Sequence, residues 1–346
     1  MKRSTVTVVL AALSLGGCAG PQAGTAPSEP LGLIAHYPLG GAGGWDLAAF
    51  DEASRRLFVS HSDRVMVMAA DSGALIGEIA PTRGVHAIAL APSLNRGFTS
   101  DGATDSVSVF DLQTLQITHE IPVTGKNPDA ILYDAPTRRV FAFNGHSDNA
   151  TVIDAQTLSV LRTIALPGKP ELAVSDEAGA IFVNIEDRSE ILAIDAATAT
   201  ITHTWPLAPG TEPTGLAIDT VHRRLFATCT NHRMIVLDAD SGRVVAALPI
   251  GDGPDSAAFD PATALAYSSN GEGTLTVVHE DDPEHFRVIA NLPTRRSART
   301  MALDRTKHRL YLPAAELGPT PAATPEHPHP RPSIMPGTFS VWVVGP

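Results

Sequence analysis

The sequence repeats itself. Phe50 to Ser60 reads FDEASRRLFVS, and Ile218 to Cys229 reads IDTVHRRLFATC. Asn127 to Val160 carries the same phrase in a longer frame. When each copy is opened at Asp46, His86, Asp129, Glu171, Thr214, Asp255 and Arg299, seven copies appear, 40 to 44 residues apart. A fixed period of that length marks a repeat array, with one supersecondary unit per copy and a core formed only when neighbours stack.

Each copy has one grammar. A short, Ala-rich run comes first, as at Ala257 to Phe259. A turn follows, opened by Asp51, Asp134, Asp176, Asp219, Asp260 or Asp304. A second run resembles Arg56-Leu57-Phe58-Val59, and a polar loop leads to a third, such as Ile235-Val236-Leu237. The third run closes on Asp111, Asp154, Asp195 or Asp238, and a turn leads to a fourth, such as Val160 to Leu166. The runs are rich in Val, Ile, Leu and Phe and are separated by turn chemistry, which predicts strands. No period of 3.6 residues is evident.

The expected fold is therefore all-β: a seven-bladed β-propeller of four-stranded antiparallel blades. Near-continuous apolar runs such as Val65 to Ala70 fit sheets covered on both faces. The small first-run residues, Ala48, Ala87, Ala130, Gly215 and Ala257 among them, fit the crowding at a central axis. The last copy has only three runs: Thr300 to Leu303, Arg309 to Leu312 and Ser340 to Val344. The orphan run Leu33 to Leu39 is expected to complete it, which closes the ring and removes its open edges.

The N-terminus reads as an address. Lys2 and Arg3 precede an apolar stretch, Thr5 to Leu15, too short to span a bilayer. Leu15-Gly16-Gly17-Cys18 resembles a bacterial lipobox. The expected organisation is a lipoprotein signal peptide over 1–17, lipidation at Cys18, a flexible Pro/Ala/Gly/Ser tether over 18–30 and the propeller over 31–346. That implies export to the periplasmic face of the cell envelope, with an outer-membrane lipid anchor as the sole membrane contact. Apart from Cys18, the only cysteine is Cys229, which reads as a buried, inert thiol. A net charge of −12 argues against nucleic acid as a partner.

The residues also resemble the YVTN (YncE-like) β-propeller repeat family. The likeness rests on the prolines before the first run (Pro128, Pro170, Pro213, Pro254), the second run of "DxxxxRLFV" type and "VIDAQTLSV" in the third and fourth runs. It spans about residues 31–346. Asn144, Asn184, Asn231 and Asn270 fall where the family carries a polar loop; His61, Asp101 and Ala314 stand near that place in other copies. The resemblance implies the fold and assigns no activity.

In such a ring the fourth-to-first connections and the second-to-third loops share one face. A ligand-binding channel mouth is therefore expected at Asp46, His86, Asp129, Glu171, Asp255 and Arg299, with Arg299 paired to Asp46 or Asp255. Loop residues His61, Asp101, Asp105, His146, Glu186, Asp187, His232 and Glu272 should lie on that face. Asp129 and Glu171 lie on adjacent blades beside His86, with no evident cation, and close carboxylates repel unless a proton or cation is shared. One reading is a wet acidic mouth. Another is a divalent metal (Ca, Mg or Zn) on His86, Asp129 and Glu171.

The long Pro-rich segment 313–339 in the seventh copy is expected on the same face. It can serve as a lid, a solvated flap or a weak metal segment through His327 and His329. The Arg-Arg pairs at 55–56, 138–139, 223–224 and 295–296 read as solvated edges, and Trp45, Trp205 and Trp342 as packing residues. No phosphate loop, nucleophile elbow, zinc-protease helix or haem motif is present, so no catalytic residue is assigned. The expected function is a monomeric envelope scaffold that binds a small molecule or another envelope protein. A lactone hydrolase in the style of the gluconolactonase propellers is the alternative.

Overall fold

The computed structural model describes Met1, residues 30–322, 324, 330 and 332–346. Apart from Met1 and Pro30, the signal segment 1–17, Cys18 and the tether 18–30 lie outside the described residues, as do His327 and His329. Among the described residues, 28 strands form seven four-stranded sheets. Six sheets are meanders whose strands follow chain order; in blade 3 these are Pro128–Asp134, Arg139–Asn144, Asn149–Asp154 and Val160–Ala165. The architecture is the seven-bladed β-propeller that the period predicts. No described helix is long and apolar enough to cross a membrane.

The ring is clasped. Gly32–Pro38 pairs antiparallel with Ser340–Gly345, from Gly32 opposite Gly345 to Pro38 opposite Ser340. The outermost strand of blade 7 is thus N-terminal and its other three are C-terminal. The pairing begins one residue earlier than the apolar run suggests, because the backbone ladder continues past the last apolar side chain.

The core lies between blades. Seven hydrophobic clusters each join residues of two adjacent sheets, such as Phe141 and Phe143 of blade 3 with Ile181 and Val183 of blade 4. Second and third strands are buried almost throughout. Fourth strands form the rim and leave Leu75, Ile76, Val160 and Leu161 exposed. Toward the axis the blades nearly touch. A Cβ on Gly215 would lie 2.5 Å from the Ser256 carbonyl carbon and 2.6 Å from the Ala257 nitrogen. That approach explains the small first-strand residues.

Polar latches complete the interfaces, and they overturn one expectation. The arginine pairs 55–56 and 223–224 are not solvated edges, whereas Arg138 and Arg296 are exposed as expected. Arg55 binds Asp304 of blade 7 and, at 2.7 Å, Asp71 of its own blade. Arg56 reaches the other way and donates to the Leu112 carbonyl of blade 2 at 2.6 Å. Arg223 holds Asp176 of blade 4 at 2.7 Å, and Arg224 donates to the Pro283 carbonyl of blade 6 at 2.7 Å. Arg96 and Arg139 likewise donate to the Ala155 and Ala196 carbonyls of the next blade.

Candidate functional site

Each first strand is anchored by a residue that opens the ladder: Trp45, Val85, Pro128, Pro170, Pro213 and Pro254. Proline is tolerated at the first position of a strand because its missing N–H is not needed there. Immediately afterwards the register slips in all six blades, before pairing resumes at Ala48, Ile88, Ala130, Ala173, Leu216 and Ser256. The slipped residues include Asp46, His86, Asp129, Glu171, Thr214 and Asp255. Each of these six ring residues therefore sits in a β-bulge, an irregularity that re-aims a side chain out of the pleat. In blade 7 the first strand begins only at Ala302, so Arg299 precedes it.

The backbone groups freed by these bulges are recovered by small polar side chains on second strands. Ser60 Oγ accepts from the Asp46 N–H, and Thr228 Oγ1 accepts from the Gly215 N–H. Ser100 donates to the Asp129 carbonyl of the next blade, and Asn184 to those of Thr214 and Gly215. Three of the four asparagines expected in loops are thus buried strand residues, Asn144, Asn184 and Asn270 being 0% exposed, whereas Asn231 lies in a turn as expected. His61 and Asp101 are buried at the ends of second strands as well. Of the expected loop residues, Glu186 reaches the mouth, together with the backbone of Gly271.

All seven opening residues line one cavity of about 690 Å³, joined by Lys169, Glu186 and Trp45. Leu317, Pro332 and Ile334 of the blade 7 loop also line it. The neck of that loop is a small ordered hairpin: Leu317 bridges Ile334, and Gly318 N–H donates to the Ser333 carbonyl at 2.8 Å. It forms part of a roof over the mouth.

The charges fall into three sets. His86 Nδ1 lies 2.8 Å from Asp46 Oδ2 and 3.3 Å from Asp129 Oδ1. Burial alone would lower the His86 pKa, but the Asp46 hydrogen bond and the two carboxylates outweigh it and raise it to about 9. His86 is thus an imidazolium at neutral pH. Arg299 Nε binds Asp255 Oδ2 at 2.6 Å and its Nη2 lies 3.4 Å from Asp46 Oδ1, so it serves both predicted partners. Burial nevertheless pushes the Asp255 carboxyl up.

The third set was missed by the sequence reading, which left Asp129 and Glu171 without a cation. Lys169 Nζ lies 2.6 Å from Glu171 Oε1 and also binds Glu186. Lys169 precedes Pro170 in the connection before the first strand, two residues ahead of the ring position, and that offset was the available signal. Burial and the nearby Asp129 charge still hold the Glu171 carboxyl high, at about 8. The mouth thus sets three basic side chains, His86, Lys169 and Arg299, among five carboxyl groups.

The metal-ligand set changes accordingly. His86 and Asp129 converge with Asp46, their donor atoms within 4.8 Å of one another, whereas Glu171 is drawn to Lys169. Carboxylate oxygens and an imidazole nitrogen at that spacing have the right chemistry for a divalent ion. A metal there would have to displace the proton that His86 shares with its two carboxylates.

No family model and no curated protein matches the chain. Solved structures do. A structure of Kuenenia stuttgartiensis hydrazine synthase aligns with a TM-score of 0.70 at 18% identity, covering 78% of this chain and 92% of that one. A structure of U3-55K aligns with a TM-score of 0.70 at 10% identity, covering 90% and 98%. At such identities the likeness extends to the propeller fold.

Proposed function

We propose that this chain is an exported, lipid-anchored propeller of the YVTN (YncE-like) type that binds a small polar molecule in its roofed channel mouth. The supporting observation is the convergence of all seven blade-opening residues on one cavity beneath the blade 7 loop. A volume of about 690 Å³ lies in the range of small-molecule sites. The half-buried ion pairs supply donors and acceptors of both signs, which suits a zwitterionic or polyhydroxylated ligand. The roof favours a small molecule over a protein surface as occupant.

Binding is tested by native mass spectrometry of protein recovered from its own cells, with thermal shifts against sugar acids, polyols and amino acids. The expected result is a bound small molecule whose affinity falls at least tenfold in Lys169→Met and Glu171→Gln. Only the unliganded mass, with no shift from any of these classes, would overturn the reading.

The second reading is a metal-dependent lactone hydrolase, favoured by the Asp46–His86–Asp129 convergence. It requires bound divalent metal and lactone turnover that both disappear in Asp129→Ala. Binding of a small molecule without turnover leaves the first reading alone.

A further inference from the structure

A second convergence lies away from the mouth, between blades 5 and 6. Asp219 ends the first strand of blade 5, and His222 sits in the turn that follows. Glu280 lies on the long third strand of blade 6, Thr274–Asp282. His222 Nδ1 is 2.9 Å from Asp219 Oδ2 and 2.9 Å from Glu280 Oε1. The three donor atoms lie within 4.8 Å of one another. Glu280 is 4% exposed, and its Oε2 is buried with no hydrogen-bond partner.

The repeat supplies its own control for this arrangement. The Glu280 N–H donates to the Ala264 carbonyl. Ala70, Leu112, Ala155, Ala196 and Ala239 make the corresponding bond in the other blades, to Arg55, Asn95, Arg138, Gly179 and Arg223. All five are buried apolar residues. Blade 6 alone of these places a carboxylate there. On the other side, the turn aspartates Asp176, Asp260 and Asp304 each receive a side chain from the following blade: Arg223, His308 and Arg55. The residue that would serve Asp219 is Ala264, which shares their positive φ and offers no donor. At this interface the donor that serves those three aspartates is missing, and a second carboxylate stands where those five blades have an apolar residue.

Two buried carboxylates facing each other need compensation. Arg224 is nearby, but its donors go to Asp238, Glu284 and the Pro283 carbonyl. Among the described residues, His222 is the group that contacts both acids. We propose that Asp219, His222 and Glu280 bind a divalent ion of the zinc class as a strut between blades 5 and 6. One imidazole nitrogen and two carboxylate oxygens are a zinc-type donor set, whereas calcium and magnesium prefer oxygen alone. The observed spacing of 2.9 Å must widen by a few tenths of an ångström for bonds of about 2.0–2.2 Å in a tetrahedral shell. The His222 side chain is 41% exposed, so the ion can enter from solvent and water can take the fourth position.

The test uses the full chain, stripped with chelator and titrated with zinc chloride while bound metal and Tm are measured. The expected result is zinc uptake with a rise in Tm, and no such rise with magnesium or calcium. Glu280→Gln is expected to lose one equivalent of zinc per chain, or to weaken it by more than about tenfold, and to lose the rise in Tm. Because Glu280 is buried, the half-exposed His222→Ala provides the same comparison if the first variant does not fold. His86→Ala at the mouth is expected to retain this equivalent. Equal stoichiometry and affinity in wild type and both variants, or no uptake by the wild type at micromolar zinc, would overturn the proposal.

Discussion

Arg55 and Arg56 are neighbours in the chain and bind opposite neighbours in the ring. Backbone geometry separates them: Arg55 has a φ of 55°, which turns its side chain toward blade 7, while Arg56 begins a strand and reaches blade 2. The Asp304 side chain is fully buried, so removing its arginine strands a charge. Breaking such a pair from one side costs about 3 kcal/mol. Arg55→Ala is expected to lower stability by about that amount in urea denaturation, whereas breaking an exposed pair such as Arg243–Glu284 should leave the unfolding midpoint nearly unchanged. The sequence announced the Arg-Arg pairs but not their partners, because those lie in other blades. Cys229 was legible as a buried residue, and burial pushes its thiol up to about 12. It is expected to resist alkylation in the native protein at pH 8 and to react on unfolding.

The strands themselves were legible. Their turns, prolines and apolar runs set their number, order and approximate ends, and the orphan run before Trp45 announced the clasp. Deleting residues 32–38 would leave Ser340–Gly345 with one unpaired edge, an open template for another chain. That truncation is expected to dimerise or aggregate, as read by light scattering, at a concentration where the intact chain stays dispersed. The bulges were not legible. A slip of register depends on how two strands meet, and no residue type in the first strand announces it. Gly215 lies within one, against the backbone of the next blade. Gly215→Ala is expected to cost about 1–3 kcal/mol through overpacking, although the same change in an open strand would cost little.

For the whole molecule, closure brings charges from all seven blades to one axis. The folded-state pKa of His86, about 9, lies above its ordinary 6.5. Its pairing with Asp46 and Asp129 therefore contributes stability that is complete below about pH 6.5 and lost as pH rises through about 9. The difference in Tm between wild type and His86→Gln is expected to shrink over that interval; a constant difference would mean that His86 is held neutral. The period, the strand grammar and the seven opening residues were fixed by local chemistry, since turns and apolar runs act within a few residues of the chain. Ring closure decided the rest: which arginine latches which blade, that His86 meets both Asp46 and Asp129, and that Asp219 comes near Glu280. Those contacts join residues whose separation in sequence carries no trace of their separation in space, so only the packed blades could select them.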